Sequence, residues 1–193
     1  MKELIDAFDN RPLVLVKDRN FLINPLTDHT PTTTYPLLQD TILSLAQLTD
    51  YSKADKLMGE EDRGGFLVAL MAYHFKMPFG MVKWNPTGYE GQQSIKFRNA
   101  YTEGTLYLNG VQKGDKVILV EDMIDSGGTI VAMVNMLKAA SIELVDLVII
   151  AEKEEYRGAE RIKRETGVEP KLLLKFSSSG KTSKVTWVNE KIK

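Results

Sequence analysis

Lys116-Val-Ile-Leu-Val-Glu121-Asp122-Met-Ile-Asp125-Ser126-Gly127-Gly128-Thr129 reads as a strand, a turn and the start of a helix. The apolar run Val117 to Val120 is a buried strand. It ends on two adjacent carboxylates, and a third, Asp125, opens a turn of small residues. An amphipathic helix follows over Thr129 to Ala139. A buried strand feeding directly into a helix is the unit of a parallel α/β sheet, and such sheets bind ligands at the C-terminal ends of their strands. Backbone N–H groups of Asp125 to Thr129 open towards an anion at the helix N-terminus, and the Ser126 and Thr129 hydroxyls add donors. This is a cradle for one phosphate. Carboxylates repel phosphate, so Glu121 and Asp122 need a separate reason. A hard divalent cation is one, because it takes carboxylate and phosphate oxygens alike. Sugar hydroxyls are another. A phosphate beside a carboxylate-bound diol describes a ribose 5-phosphate. A plain helix cap by Asp125 or Ser126 accounts for the turn but not for the acidic pair.

Outward from this segment, strand and helix alternate. Leu13 to Val16, Phe21 to Ile23, Phe79 to Val82, Thr105 to Leu108, Leu144 to Ala151 and Leu172 to Phe176 read as strands. Residues 1–9, Leu37 to Leu48, Phe66 to Phe75 and Ala159 to Glu165 carry helical spacing. The alternation predicts an α/β fold, a mostly parallel sheet flanked by helices. Periodicity is lost from Asn85 to Gly104, where Pro86, Gly88 and Gly91 sit among polar residues. Loops of that length inside a compact domain often serve as lids.

Composition narrows the function. The 193 residues carry 25 Lys plus Arg against 26 Asp plus Glu, a net charge of −1, which excludes a nucleic-acid binder working by bulk positive charge. There is no cysteine, hence no disulfide, thiolate metal site or Cys nucleophile. No apolar run approaches the ~18–20 residues of a membrane span, and residues 1–9 lack a signal-peptide core, so a cytoplasmic location is expected. His29 and His74 have no metal-ligand companions at useful spacing, which argues against zinc. Ser179-Gly180-Lys181-Thr182 imitates the end of a Walker loop, but Lys175 stands where the first glycine is required, so it reads as a polar turn.

The 116–129 segment closely resembles the phosphoribosyl-pyrophosphate (PRPP) motif of type I phosphoribosyltransferases: apolar strand, two acidic residues, two apolar residues, then a Thr/Ser-Gly-Gly-Thr turn. Other segments support the likeness. Gly59-Glu60-Glu61-Asp62-Arg63-Gly64-Gly65 is a second turn into a helix, with an Arg placed to meet an anion. It resembles the pyrophosphate loop of adenine phosphoribosyltransferases. Phe21-Leu-Ile-Asn24-Pro25-Leu26 resembles the hood that covers the purine in adenine and archaeal-type hypoxanthine enzymes, and Lys83 falls where the family carries a basic residue near the pyrophosphate. Glu152, Arg157, Gly158 and Glu160 look like the acidic and Arg-Gly region of the adenine enzymes, although a solvated charged turn reads the same way.

The resemblance implies a hood over residues 1–35 and a phosphoribosyltransferase core over 36–193 with a mobile lid at 85–104. It implies a Mg²⁺-dependent purine phosphoribosyltransferase of purine salvage that joins PRPP to a purine base, giving a nucleoside monophosphate and pyrophosphate. Glu121 and Asp122 would hold the ribose hydroxyls or Mg²⁺, and Asp125 to Thr129 the 5′-phosphate. Glu61, Asp62, Arg63, Gly64 and Lys83 would hold the pyrophosphate, and Phe21, Asn24, Pro25 and Leu26 the base. Asp125 would assist proton transfer at purine N7. The residues divide on the base. The Arg63 loop favours adenine, the leading expectation, whereas Asp125 and the 105–115 segment resemble the enzymes of hypoxanthine and guanine. The lid stretch from Gln92 lacks the acidic, tyrosine-rich pattern of adenine enzymes. The family also implies a homodimer and no nucleic-acid partner. The alternative is a PRPP- or nucleotide-sensing transcriptional regulator that keeps the fold, but too few residues precede Phe21 to form a DNA-binding domain.

Overall fold

The computed structural model describes residues 1–16, 18–98 and 102–192. The centre is a parallel sheet of five strands in the order β9 (Lys171–Ser177), β8 (Glu143–Lys153), β7 (Lys116–Ile124), β3 (Lys56–Glu60) and β4 (Phe79–Lys83). An antiparallel strand, β10 (Lys184–Val188), extends one edge. The antiparallel pair β6 (Glu103–Asn109) and β5 (Ser94–Arg98) extends the other. A separate hairpin, β1 (Leu13–Val16) and β2 (Arg19–Leu22), stands outside the sheet.

Strand β7 explains the layering. Its side chains alternate. Ile118 and Val120 pack with Leu67, Val68 and Met71 of α3 (Arg63–Phe75), with Leu37 and Leu45 of α2 (Tyr35–Ala46), and with Leu4 and Phe8 of α1 (Lys2–Phe8). Val117 and Leu119 pack on the opposite side with Met133, Val134 and Leu137 of α4 (Gly128–Ala139) and Ile162 of α5 (Gly158–Thr166). All four strand residues are fully buried. Burial on both faces is why this strand reads as one unbroken apolar run.

The crossovers place the site. From β3 the chain passes through α3 to β4 on one side, and from β7 through α4 to β8 on the other. The order therefore reverses between β3 and β7, and a crevice opens at the C-terminal ends of those two strands. The N-termini of α3 and α4 both border it.

The architecture agrees with the expectation, with differences in detail. Strand β3 is hidden in the sequence, because its Gly59 and acidic end look like a turn. Gly59 is there because a Cβ would lie 2.3 Å from Val68 Cγ2 and 2.7 Å from the Val120 carbonyl oxygen. Helix α3 begins at Arg63, three residues earlier than its apolar spacing suggests. The 85–104 stretch is not all loop: Ser94 to Arg98 forms β5, and Phe97 is buried edge-to-face against Trp84, with ring centroids 4.9 Å apart. Part of the expected lid, 99–101, lies outside the described residues. Within 1–35, α1 belongs to the core, and the hairpin with the loop after it forms the hood. The C-terminal hairpin β9–β10 supports that hood, since Asn20 Nδ2 donates to the Ser178 carbonyl at 2.7 Å. Among the described residues no helix is long and apolar enough to cross a membrane.

Candidate active site

A cavity of about 280 Å³ occupies the crevice. Asp62 and Arg63 form one wall; Asp122 and the turn Asp125 to Thr129 form the other. Phe21 of the hood, Trp84 and Thr102 complete it. The turn is held by close packing. Gly127 has φ +73°, in the left-handed region that favours glycine, and a Cβ there would lie 2.9 Å from the Gly158 carbonyl oxygen. Arg161 Nη1 donates to the Ser126 carbonyl at 3.2 Å. Gly128, Thr129 and Ile130 at the start of α4 line the cavity. The Ser126 hydroxyl is buried and has no hydrogen-bond partner among the described residues. An unmet buried donor beside a helix N-terminus suits an anion.

Adjacent residues on a strand cannot face the same way, and the acidic pair divides accordingly. Asp122 lines the cavity, is buried, and leaves Oδ2 without a partner among the described residues. Glu121 lies behind the cavity. Its Oε1 accepts the Glu60 backbone N–H at 2.7 Å, and its Oε2 sits 2.6 Å from where a Cβ on Gly64 would be. Glu121 thus braces the turn into α3 from beneath, and the structure does not bring it to the cavity wall. Burial raises its pKa well above the ordinary carboxylate value, with Glu60 and Asp122 adding to the effect. Burial also pushes Asp122 up to about 7, against the pull of the Arg63 charge, and Glu60 up to about 8, with Asp62 adding.

The second turn is partly engaged with itself. Glu61 Oε1 accepts the Trp84 backbone N–H at 2.5 Å, and Lys83 Nζ lies 3.5 Å from Glu61 Oε2. Neither Glu61 nor Lys83 lines the cavity. The Trp84 indole N–H donates to Glu60. Arg63 does reach the cavity, with its guanidinium 4.3 Å from the centre of the Phe21 ring. Asn24, Pro25 and Leu26 do not line it. Asn24 Oδ1 accepts the N–H groups of Leu26 (2.8 Å) and Thr27 (3.0 Å), so this segment shapes the hood turn that carries Phe21. Glu152 is buried. It accepts the Ala159 N–H at 2.9 Å and pairs with Lys175 at 2.8 Å, whereas Arg157 and Glu160 pair with each other at the surface.

Sequence reasoning passed over Lys153, Asp28 and Glu60. Lys153 is the last residue of β8, is buried, and donates to the Asn20 carbonyl of the hood. Burial lowers its pKa, against the fields of Asp125 and Glu155. A lysine closing an apolar strand at the ligand-binding edge of the sheet was a readable signal.

The raised Asp122 predicts a pH effect. A group that accepts hydroxyl hydrogen bonds or holds a cation acts as carboxylate. Asp122 loses its proton as pH rises through about 7, so kcat/KM for a reaction that needs the Asp122 carboxylate is expected to rise about tenfold from pH 6 to pH 8 and then level off. A profile flat over that interval would contradict the assignment.

Residues 37–175 match the sequence model of the phosphoribosyl transferase domain. Among curated proteins, the chain is 30% identical over 174 residues to the hypoxanthine/guanine phosphoribosyltransferase of Methanocaldococcus infernus, covering 90% of this chain and 94% of that protein. It is 30% identical over 182 residues to the protein of the same name from Methanosarcina barkeri, covering 94% of each. Among solved structures it resembles adenine phosphoribosyltransferase from Thermoanaerobacter pseudethanolicus, with a TM-score of 0.75 at 19% identity over 90% of this chain and 99% of that one. It also resembles the adenine phosphoribosyl transferase of Trypanosoma brucei in complex with AMP, pyrophosphate and ribose-5-phosphate. That likeness has a TM-score of 0.69 at 18% identity over 92% of this chain and 79% of that one.

Proposed function

This chain belongs to the phosphoribosyl transferase family, and from that premise we propose that it transfers the phosphoribosyl group of PRPP to a purine base in purine salvage. The observation that carries the reading is the pairing, in one cavity wall, of an anion-binding helix N-terminus that includes the unmet Ser126 hydroxyl with the unmet, buried Asp122 oxygen. A phosphorylated sugar offers a phosphate to the first and hydroxyl protons to the second.

In the transfer, a purine nitrogen attacks C1′ of the ribose as the bond from C1′ to pyrophosphate breaks. Positive charge develops on the sugar ring and negative charge on the leaving group. Asp122 faces the sugar and stabilises the first. Arg63 and the N-terminus of α3 face the pyrophosphate and stabilise the second. Asp125 takes up the proton shifted at purine N7. Glu121 acts beneath the surface, holding the α3 turn in place. Phe21 and Trp84 exclude water that would otherwise hydrolyse PRPP.

Mg²⁺ fits this site only as a shared ion. No group of three or more His, Cys, Asp or Glu among the described residues is arranged to hold a metal, whereas Asp122 offers an unmet oxygen. Mg²⁺ keeps several waters and binds through one or two carboxylates plus substrate phosphates, which suits arrival with PRPP. Bound there, it would supply charge neutralisation for the departing pyrophosphate.

For the base, the reading moves from the adenine favoured by the Arg63 loop to hypoxanthine or guanine. The relatives at 30% identity are named hypoxanthine/guanine phosphoribosyltransferases, which supports a 6-oxopurine. Lys153 donates to the Asn20 carbonyl and is not among the residues lining the cavity, so it bears on the base only through the hood. The dimer expected of the family is supported by an exposed apolar groove. Tyr35, Tyr73 and Phe79 are 72%, 88% and 44% exposed along an apolar groove between α2 and α3, and patches of this kind mark association surfaces. Light scattering is expected to give a mass of about twice 21.7 kDa; a monomer at high micromolar concentration would refute it.

The deciding experiment is pyrophosphate release from PRPP and Mg²⁺ with each base in turn. Turnover with hypoxanthine or guanine is expected, with adenine slower. Adenine as the best substrate would reverse the base assignment. PRPP binding without turnover on any base would return the reading to a nucleotide-sensing regulator.

A further inference from the structure

We propose that Asp28, in the loop after the hood hairpin, is a positioning residue that aims Arg63 at the pyrophosphate; this rests on the transferase reading above. The two residues lie 35 positions apart, yet Arg63 Nη2 donates to Asp28 Oδ1 at 2.6 Å. Both side chains are mostly buried, at 19% and 15% exposure, so the pair is shielded from solvent in a way that surface ion pairs are not.

The second oxygen of Asp28 is also engaged. Oδ2 accepts the Asn24 backbone N–H at 3.0 Å and lies 3.4 Å from Asn24 Nδ2. Asn24 in turn fixes the N–H groups of Leu26 and Thr27. Thr33 Oγ1 ties the far side of the loop to the Pro25 carbonyl at 2.6 Å. The carboxylate is therefore oriented from the hood side before it meets the guanidinium.

Arg63 is held from two directions. Asp28 takes one edge of its plane, and the Phe21 ring lies against its face. A guanidinium recognises phosphate through a flat fork of donors, so its plane decides whether two N–H groups can meet one phosphate together. One of its five N–H groups is spent on Asp28; the rest of the fork remains for an anion in the cavity that Arg63 lines. The hood that covers the base thereby also sets the geometry of pyrophosphate capture, which couples the two halves of the site.

The test is the affinity of PRPP, with Mg²⁺, for the full chain and for D28N, measured by calorimetry. The amide oxygen of Asn can accept from Asn24 or from Arg63 but not from both, and its NH₂ faces the other donor. D28N is expected to weaken PRPP binding about tenfold while KM for the purine stays within about twofold. In an Arg63→Lys background, where no guanidinium plane exists, D28N should add less than about twofold. Phe21→Leu, which removes the ring without altering the Asn24 turn, is the second probe: it should likewise weaken PRPP binding with Arg63 intact and add less than about twofold in the Arg63→Lys background. PRPP affinity unchanged in either variant would overturn the proposal. So would a rise in purine KM without a change for PRPP, or equal losses with Arg63 intact and with Arg63→Lys in place. Binding is read without turnover, so a wild type that binds PRPP but releases no pyrophosphate would sink the transferase reading and leave this test intact. A wild type that does not bind PRPP would overturn both.

Discussion

Asp125→Asn is expected to lower kcat about a hundredfold while leaving KM for PRPP nearly unchanged. The two effects separate because Asp125 acts at the site in two ways. Its backbone belongs to the turn proposed to meet the 5′-phosphate, and a change from Asp to Asn leaves that backbone in place. Its side chain lines the same cavity and is the group assigned to the purine proton. Asn matches Asp in shape but cannot take up a proton. The loss should therefore fall on the chemical step, and single-turnover rates should fall with kcat. A kcat within about threefold of wild type would remove Asp125 from proton transfer and leave it as a turn residue.

Gly158→Ala is expected to damage stability and activity together. Gly158 is the first residue of α5 and lies against the 125–129 turn proposed to bind phosphate. A Cβ there would fall 2.1 Å from the Asp125 carbonyl oxygen and 2.3 Å from Ile124 Cγ2. The first of these is backbone at the end of a central strand, and it has no rotamer in which to retreat. Either α5 moves out or the 125–129 turn moves. Overpacking of this kind costs about 2–3 kcal/mol, which lowers the melting temperature of a chain this long by roughly 5–10 °C. Displacing the turn by about an ångström should cost about a hundredfold in kcat/KM. Gly167→Ala is the control. Gly167 has φ +78° but nothing within 4 Å of a Cβ, so only backbone strain is added, about 1 kcal/mol, with activity retained. Equal melting temperatures for the two variants would contradict the packing argument.

The parts of this site that could be read from sequence are those written in adjacent residues. The strand, acidic pair and glycine turn of 116–129 are contiguous, and no other apolar run of the chain is followed by an acidic pair and a Ser-Gly-Gly-Thr turn. The division of labour between Glu121 and Asp122 was not readable: the two-residue repeat would put Glu121 with Val117 and Leu119 on the α4 side, whereas the fold turns it onto Glu60 and Gly64 at the start of α3. Nor were Asp28 and Trp84. Their partners, Arg63 and Glu60, lie 35 and 24 residues away, and only the folded sheet brings them together. Strand β10 is also hidden, because an edge strand needs only one apolar face and Lys184 to Val188 alternates weakly. The lean towards adenine rests on the Arg63 turn and on the Glu152 to Glu160 region, each contiguous in sequence. Lys153 lies two positions beyond Ala151, where the apolar run ends, and its bond to the Asn20 carbonyl exists only in the fold.

The position of Trp84 has an optical consequence. The chain holds only two tryptophans. Trp187 stands on the edge strand β10, away from the cavity, while Trp84 borders it, gives its indole proton to Glu60 and supports Phe97 of the β5–β6 pair. Indole emission responds to a neighbouring carboxyl and to the loss of nearby water. Filling the cavity alters both for one fluorophore and neither for the other. The protein thus carries its own built-in dye at the mouth of the crevice, with an internal reference on the opposite edge of the sheet.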